Sequence, residues 1–366
     1  MDHPENATEY KGLQVNSGVT SQPVVNPYRR PAKRRPLPTA SEFVEGILKG
    51  NVSMLGQAVT LIESTADRHQ ALAQEVIEKC LPYSGNSRRI GITGVPGAGK
   101  STSIDVFGLH VLRDGGKLAV LAIDPSSERT RGSILGDKTR MEKLSQHPSA
   151  FIRPSPSAGS LGGVARKTRE TIVLCEAAGY NNIFVETVGV GQSETAVHSM
   201  VDFFLLIQLA GTGDELQGIK RGIMEMADGI VINKADGDNI DRANLAAAQF
   251  RNALHLFPPT PSKWRPEVVT YSGYYELNID KVWDMIDRYF EYVKKSGYFE
   301  RKRNEQAKYW MFETINEELR ENFYRMPQIR ALLEQKEMRV LNNEQSSFTA
   351  AHDVLRRYFS LLRDSQ

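Results

Sequence analysis

A nine-residue segment, Gly94–Thr102, constrains the fold more than any other part of the sequence. It fits the pattern G-x-x-x-x-G-K-[ST], in which glycines let the main chain approach phosphate oxygens closely. Arg88–Thr93 before it predicts a buried strand, and Ser103–Leu112 after it predicts a helix. Free N–H groups and the helix dipole converge at such a strand–loop–helix junction, so the segment predicts a nucleoside triphosphate site. The candidate binding residues are Gly94, Val95, Pro96, Gly97, Ala98, Gly99, Lys100, Ser101 and Thr102.

Two side chains of this segment, and a glutamate further along the chain, are predicted to contact the phosphates and Mg²⁺. Lys100 is placed to reach the β- and γ-phosphates, which makes it a candidate catalytic residue, and Ser101 is placed to bring its hydroxyl to Mg²⁺. Glu186 follows the predicted strand Ile183–Val185 at the position of a D-x-x-G switch. There it would act through Mg²⁺-bound water, and Gly189 would offer its N–H to the γ-phosphate.

Two further aspartates are candidates for the metal. Asp124 ends the apolar run Leu118–Ile123 and is a candidate Mg²⁺ ligand. Asp137 lies in the following loop and is a candidate for metal binding and for positioning the attacking water, although a lone loop aspartate is usually a turn former. Gln192 is the alternative water-positioning residue.

The segment 211–222 follows the predicted strand Phe203–Gln208 at the same edge of the sheet. It is either an ordinary charged loop or a third nucleotide-responsive segment that acts through Asp214 and Lys220. On the second interpretation Lys220 is a candidate catalytic residue.

Asn233-Lys234-Ala235-Asp236 follows the predicted strand Gly229–Ile232 and matches N-K-x-D, the guanine-reading motif of GTPases. A carboxylate at Asp236 accepts from both N1–H and N2–H₂ of guanine, whereas adenine has no such donor pair, so the motif predicts selectivity for GTP and GDP. Another candidate contact follows the last strand, where GTPases place a backbone N–H against guanine O6. That segment comprises Ser272, Gly273 and Tyr274.

Strands and helices alternate between residues 88 and 276, which predicts an α/β domain with a doubly wound, mostly parallel sheet. The flanking regions are helical in pattern, beginning with a capping box at Thr39–Glu42. Trp310, Ile315, Leu319 and Phe323 form an apolar stripe on a predicted C-terminal helix, which needs a cover from this chain or from a second copy. We expect four regions: a disordered basic tail (1–38), a helical extension (39–87), a P-loop GTPase domain (88–276) and a C-terminal helical dimerisation region (277–366).

Composition excludes several other classes. The formal net charge of +2 gives no reason to expect nucleic acid as a partner. Cys80 and Cys175 are isolated and make no zinc motif or disulfide framework. No apolar run is long enough for a transmembrane helix, and the N-terminus lacks a signal-peptide core. We therefore expect a cytoplasmic protein that does not bind membranes.

These motifs together closely resemble the MeaB/ArgK family, SIMIBI-class GTPases that escort the adenosylcobalamin-dependent methylmalonyl-CoA mutase. An older family label, the LAO/AO transport ATPase, conflicts with Asp236, which favours guanine. The resemblance is carried by the phosphate loop, Asp124–Ser127, Gly132–Met141, Leu174–Tyr180, Glu186–Glu194, Asp214–Gly222 and Asn233–Asp236.

The resemblance implies a homodimer that forms through its C-terminal helices. It also implies a slow Mg²⁺-dependent GTPase whose cycle gates adenosylcobalamin loading and protects the mutase. By position in the family, Lys100, Ser101, Asp124, Asp137 and Glu186 would hold phosphate and metal. Lys220 would lie in the loop that couples to the partner.

Two alternatives remain open from the sequence. A metal-insertion GTPase for nickel or zinc usually carries a Cys-x-Cys-Cys or His-rich stretch, and seven scattered histidines with two cysteines supply neither. A nucleotide-binding scaffold with negligible hydrolysis is the other alternative. Turnover measured with and without the mutase separates it from a chaperone.

Overall fold

The computed structural model describes residues 36–64, 66–123, 141–154, 161–187, 193–211 and 221–364. Within the described chain three helices precede the sheet. They are α1 (Ala40–Leu48), α2 (Val52–Glu63) and α3 (Asp67–Cys80), followed by a 3₁₀ turn (Leu81–Tyr83). The predicted capping box begins α1: Glu42 N–H donates to Thr39 Oγ1 at 3.3 Å, and Thr39 N–H donates to Glu42 Oε2 at 2.7 Å.

Strands and helices then alternate, as the sequence predicts. These elements are β1 (Arg88–Gly94), α4 (Lys100–Arg113), β2 (Leu118–Ile123), α5 (Glu142–Ser145), β3 (Ala150–Arg153), α6 (Leu161–Ala177), β4 (Asn182–Thr187), α7 (Ser193–His198), β5 (Phe203–Leu209), α8 (Arg221–Met226), β6 (Gly229–Asn233), a 3₁₀ turn (Gly237–Asn239), α9 (Ile240–Leu254) and β7 (Glu267–Thr270). The C-terminal region is helical. It contains α10 (Ile279–Lys295), α11 (Tyr298–Arg325), α12 (Pro327–Leu341) and α13 (Ser347–Asp364).

The seven strands form one parallel sheet in the order β3-β2-β4-β1-β5-β6-β7. The chain leaves β1 for β2 on one side of the sheet, and it later enters β5 on the other side. β1 therefore lies at the point where the strand order reverses, and its carboxyl end is where such sheets bind ligands. The segment Gly94–Thr102 begins at that end. The α/β fold class is confirmed.

Buried apolar side chains cover both faces of the sheet. Every residue of β2 is buried, as its continuous apolar sequence predicts for a strand covered on both faces. One face packs against the three N-terminal helices, α6 and α7. The other face packs against α4 and α10. On α10, Trp283, Ile286, Phe290 and Val293 are all buried.

The predicted apolar stripe of α11 is covered at its two ends and exposed between them. Trp310 joins the core beneath the N-terminal helices and is 7% exposed. Ile315 and Leu319, further along the helix, are 47% and 59% exposed. Phe323 packs beside Tyr358 of α13. Within the described chain the middle of the stripe is therefore left open to solvent.

Candidate nucleotide site

The loop between β1 and α4 depends on glycine at two close approaches. A Cβ at Gly94 would lie 2.3 Å from the carbonyl oxygen of Ile207 in β5, so β1 could not end beside β5 with a side chain there. Gly99 has φ +85°, and its Cβ would lie 2.6 Å from Asn233 Nδ2. Only glycine meets both conditions without strain. The loop therefore packs tightly on its neighbours while α4 begins at Lys100, with the first N–H groups of α4 at the carboxyl edge of the sheet.

Lys100 lies folded over this loop. Its Nζ donates to the carbonyl of Gly94 at 2.9 Å and reaches that of Val95 at 3.5 Å. Burial lowers the pKa of Lys100, and the carboxylates of Glu186 and Glu194 oppose that shift. The ammonium group is thus held by two main-chain oxygens at the place where the motif expects phosphate. A triphosphate would replace two neutral acceptors by charged ones, which form stronger hydrogen bonds.

Glu186 lies beside the phosphate loop because β4 is the neighbour of β1. Glu186 is level with Ile92 of β1 and is 5% exposed. Next to it, Thr187 Oγ1 donates to Thr93 Oγ1 at 2.8 Å, which ties the carboxyl ends of the two strands together. Ser101 is half-buried in the first turn of α4, and Thr102 is exposed. The structure therefore brings the predicted residues Ser101 and Glu186 to one edge of the sheet.

Asn233 joins three loops at this edge. Its Nδ2 donates to the carbonyl of Ala98 in the phosphate loop at 2.7 Å. Its Oδ1 accepts from Lys234 N–H at 2.7 Å and from Gly273 N–H at 3.0 Å. Asn233 is 3% exposed, so each of these bonds is shielded from water. The base motif, the phosphate loop and the segment after β7 are therefore fixed relative to one another by one amide.

Asp236 is oriented by the segment after β7. Ser272 Oγ donates to Asp236 Oδ2 at 2.6 Å, and Ser272 Oγ itself accepts from Tyr275 N–H at 3.2 Å. Asp236 is half-buried, so its carboxylate remains accessible to a base. Because Gly273 N–H is bonded to Asn233, a backbone contact to guanine O6 from this segment would need another N–H. Tyr274, the third predicted residue here, is 80% exposed.

Several predicted residues lie outside the described residues. They are Asp124, Asp137, Gly189, Gln192, Asp214 and Lys220. Their assignment to the metal, the γ-phosphate, the attacking water and partner coupling stays a prediction. Among the residues that the structure does describe, no group of three or more His, Cys, Asp and Glu side chains is arranged to hold a metal ion.

Glu194 is a residue that sequence reasoning did not single out. It lies in the first turn of α7, is 1% exposed, and its carboxylate favours the charged form of Lys100. Glu194 follows Glu186 by eight positions across a segment with no regular period, so no spacing rule connects the two. Only the packing of α7 against β4 and β1 brings Glu194 to the site.

Fold and loop geometry together define a P-loop GTPase: a parallel sheet with a glycine loop after its first strand, and an N-K-x-D motif fixed against that loop. The family model described as methylmalonyl-CoA mutase-associated GTPase MeaB matches residues 55–328. The chain therefore belongs to the MeaB family, as its motifs predict, and it is a GTPase that binds guanine nucleotide.

Curated relatives agree with this assignment. The chain is 46% identical over 317 residues to a probable GTPase of Mycobacterium bovis, which covers 87% of this chain and 94% of the relative. It is 45% identical to the GTPase ArgK of Escherichia coli, covering 86% and 96% of the two chains. It is 44% identical to the mitochondrial methylmalonic aciduria type A homolog of mouse, covering 86% and 78%.

One solved structure is similar over nearly its whole length. A crystal structure described as LAO/AO transport system kinase superposes with a TM-score of 0.70 at 38% identity, and it covers 87% of this chain and 97% of that chain. Among the helices that the structure describes, none combines the length and the apolar character needed to cross a membrane.

Proposed function

We propose that this GTPase is a chaperone of methylmalonyl-CoA mutase: its GTP cycle gates the loading of adenosylcobalamin and protects the mutase. The family description names that mutase as the associated enzyme, and the match covers residues 55–328. The observation in this chain that supports a cycle is the hub at Asn233. It places the base motif and the phosphate loop in direct hydrogen-bonded contact. Nucleotide bound there would touch both at once.

The nucleotide in this proposal is GTP or GDP, held by Gly94–Thr102 and read by Asp236. Mg²⁺ fits the donor set, because it prefers hard oxygen ligands and usually keeps several waters. Ser101 supplies a hydroxyl, and Glu186 supplies a carboxylate at the end of the adjacent strand. Bound Mg²⁺ would supply charge neutralisation of the β- and γ-phosphates. Lys100 would leave the carbonyls of Gly94 and Val95 to meet the same oxygens.

The proposal includes a homodimer that uses the C-terminal helices. Apolar side chains are exposed in the middle of α11, and soluble monomers rarely expose contiguous apolar surface of this kind. The exposed apolar residues of α11 include Met311, Phe312, Ile315 and Leu319. On α13, the aromatic residues Phe348 and Phe359 are also exposed. A second copy of the chain is the occupant we propose for this surface.

The chaperone role is tested with purified methylmalonyl-CoA mutase from the same cell. Steady-state GTP turnover is measured with and without the mutase, and adenosylcobalamin transfer to apo-mutase is followed by absorbance. We expect the mutase to stimulate turnover and nucleotide to change the transfer rate. Lys100→Ala should abolish nucleotide binding, whereas Lys143→Ala, at an exposed lysine outside the loop, should not. The chaperone role is refuted if the mutase neither changes GTP turnover nor binds to this protein.

The dimer has its own test. Light scattering on the purified chain should give twice the monomer mass. Leu319→Glu should shift the mass to that of a monomer, whereas Arg320→Glu, one residue further along α11, should leave the dimer intact. A wild-type monomer at micromolar concentration would refute the dimer and leave the nucleotide site untouched.

A further inference from the structure

A pair of buried hydroxyl groups joins the end of the last strand to the phosphate loop. Tyr271 Oη and Ser103 Oγ lie 2.5 Å apart, and Ser103 Oγ donates to the carbonyl of Gly99 at 2.8 Å. Tyr271 and Ser103 have no exposed surface. The single hydroxyl proton of Ser103 is directed at Gly99, so Tyr271 must be the donor in the pair. The result is a directed chain of hydrogen bonds from Tyr271 through Ser103 to Gly99.

Tyr271 also contacts the base-reading side of the site through its main chain. Its carbonyl accepts from Ala235 N–H, inside the N-K-x-D motif, at 3.0 Å, and its N–H donates to the carbonyl of Ile232 at 2.9 Å. Ser272, which orients Asp236, follows Tyr271 directly in the chain. The backbone of Tyr271 therefore belongs to the base site, and its side chain reaches the phosphate loop.

This chain of bonds constrains the direction of main-chain N–H groups. In a trans peptide the C=O and the N–H point in opposite directions. The carbonyl of Gly99 accepts from the main-chain N–H of Ser103 at 2.9 Å and also from Ser103 Oγ, so the N–H of Lys100 in the same peptide points the other way. The carbonyl of Ala98 is held by Asn233, so the N–H of Gly99 is turned in the same manner. These two N–H groups lie in the stretch that a glycine loop presents to phosphates.

We propose that Tyr271 and Ser103 are positioning residues of the nucleotide site, which aim the Gly99–Lys100 peptide at the phosphates from the base-reading side. The inference rests on the proposed use of Gly94–Thr102 for GTP and GDP. Neither hydroxyl touches the nucleotide in this arrangement. Both act through Gly99, the glycine at which α4 starts.

The Tyr271 phenol keeps both its proton and its position, as a positioning role requires. Burial raises the pKa of Tyr271, so its phenol keeps its proton throughout the physiological range and remains a donor. The ring packs against Phe107, with centroids 5.4 Å apart, which restricts its rotation. A phenylalanine at position 271 would keep this packing and remove only the donor.

The test compares two buried tyrosines whose phenols are both hydrogen-bonded, one beside the phosphate loop and one at the other end of the strands. Tyr271→Phe is the test variant, and Tyr289→Phe is its matched control, because Tyr289 is 1% exposed and donates from its phenol to the carbonyl of Asp202 at 2.8 Å. Asp202 directly precedes β5, at the opposite edge of the sheet from the phosphate loop. Affinities for fluorescent GTP and GDP analogues are measured with Mg²⁺, and melting temperatures are recorded for each full-length variant.

We expect Tyr271→Phe to weaken affinity for both nucleotides about five- to tenfold, the usual scale for one buried hydrogen bond. Tyr289→Phe should lower the melting temperature about as much as Tyr271→Phe does, but it should leave the affinity for both nucleotides unchanged. Ser103→Ala should match Tyr271→Phe, and the double variant should be no weaker than either single variant, since both act on one chain of bonds.

Each other outcome counts against the proposal. Wild-type affinity in Tyr271→Phe, or equal losses in Tyr271→Phe and Tyr289→Phe, would overturn it and leave the proposed function standing. If Tyr271→Phe does not fold, Ser103→Ala is used instead, and wild-type affinity in that variant would also overturn the proposal. Failure of the wild-type chain to bind either nucleotide would instead refute the nucleotide site itself.

Discussion

Asn233 holds Ala98 across the site: its side-chain Nδ2 donates to the Ala98 carbonyl at 2.7 Å, although the two residues are 135 positions apart. The same amide accepts from Gly273 N–H. A buried side chain that forms hydrogen bonds with three loops at once makes the positions of those loops interdependent. Changes at one loop should therefore appear as changes in the affinity of the whole site for nucleotide.

A methyl group at Gly99 should uncouple this contact. In Gly99→Ala the new Cβ would lie 2.6 Å from Asn233 Nδ2, and the residue would also have to keep φ near +85°. We expect nucleotide affinity to fall at least about tenfold, since the amide must move and its bond to Ala98 is lost. Isothermal titration with GDP measures this loss.

Gly115→Ala is the control for that change. Gly115 also has a positive φ, +76°, but its Cβ would meet nothing within 4 Å. It should lose about 1 kcal/mol of stability from backbone strain and keep its affinity for GDP. Equal affinity in Gly99→Ala and the wild type would show that the Asn233–Ala98 contact does not support binding.

Base selectivity should depend on Asp236. In Asp236→Asn the side chain offers a donor where guanine N1–H and N2–H₂ also donate, so GTP affinity should fall roughly 100-fold. Xanthosine triphosphate, which presents an acceptor in place of the amino group, should bind better to the variant than to the wild type. Competition between the two nucleotides for the purified protein measures the exchange.

Asp238→Asn provides the comparison for this substitution, because Asp238 is exposed in the adjoining 3₁₀ turn. Its preference for GTP should be unchanged. If Asp236→Asn keeps the GTP affinity of the wild type, Asp236 does not contact guanine, and selectivity for guanine must come from other residues.

Much of the architecture is predictable because its signals are local. The continuous apolar run of β2 and the glycine–lysine loop each specify their own structure from neighbouring residues. The contacts that join the loops are not local: Tyr271 and Ser103 are 168 positions apart and pair only because the segment that follows β7 reaches the first turn of α4. The α11 stripe shows a related limit, since periodicity predicts an apolar face and does not say which part of it this chain covers.

The attachment of α11 to the sheet should depend on Arg303. Its guanidinium donates to Asp202 Oδ1 at 2.9 Å and Oδ2 at 2.7 Å, and it also reaches the carbonyls of Gly85 and Ser87. Asp202 is 2% exposed, so Arg303→Met would leave a buried carboxylate without this partner. We expect a loss of about 3–5 kcal/mol, measured as a lower urea midpoint.

Arg301→Met, two residues earlier on α11, is the reference for that experiment. Arg301 is exposed, and its guanidinium lies over the Tyr298 ring. Removing it should change stability by no more than about 1 kcal/mol. Similar midpoints for the two variants would mean that the Asp202 ion pair does not anchor the helix.

Stability should fall in mild acid because of His198, at the end of α7. Burial, with a smaller contribution from the nearby charge of Lys302, lowers the pKa of His198 to about 4, whereas an unfolded histidine titrates near 6.5. Between these values the unfolded chain binds more protons than the folded chain, so stability decreases as the pH falls. From pH 7 to pH 5 this one group should remove about 2 kcal/mol.

His198→Phe should remove that contribution, because phenylalanine can keep the edge-to-face contact with Phe204 (centroid distance 5.6 Å) and does not titrate. The urea midpoints of the wild type and the variant are compared at pH 7 and pH 5. Subtraction of the two pH dependences isolates His198 from the carboxylates that titrate in both chains. An identical pH dependence would mean that His198 is protonated at no cost in the folded chain, contrary to its burial beside Lys302.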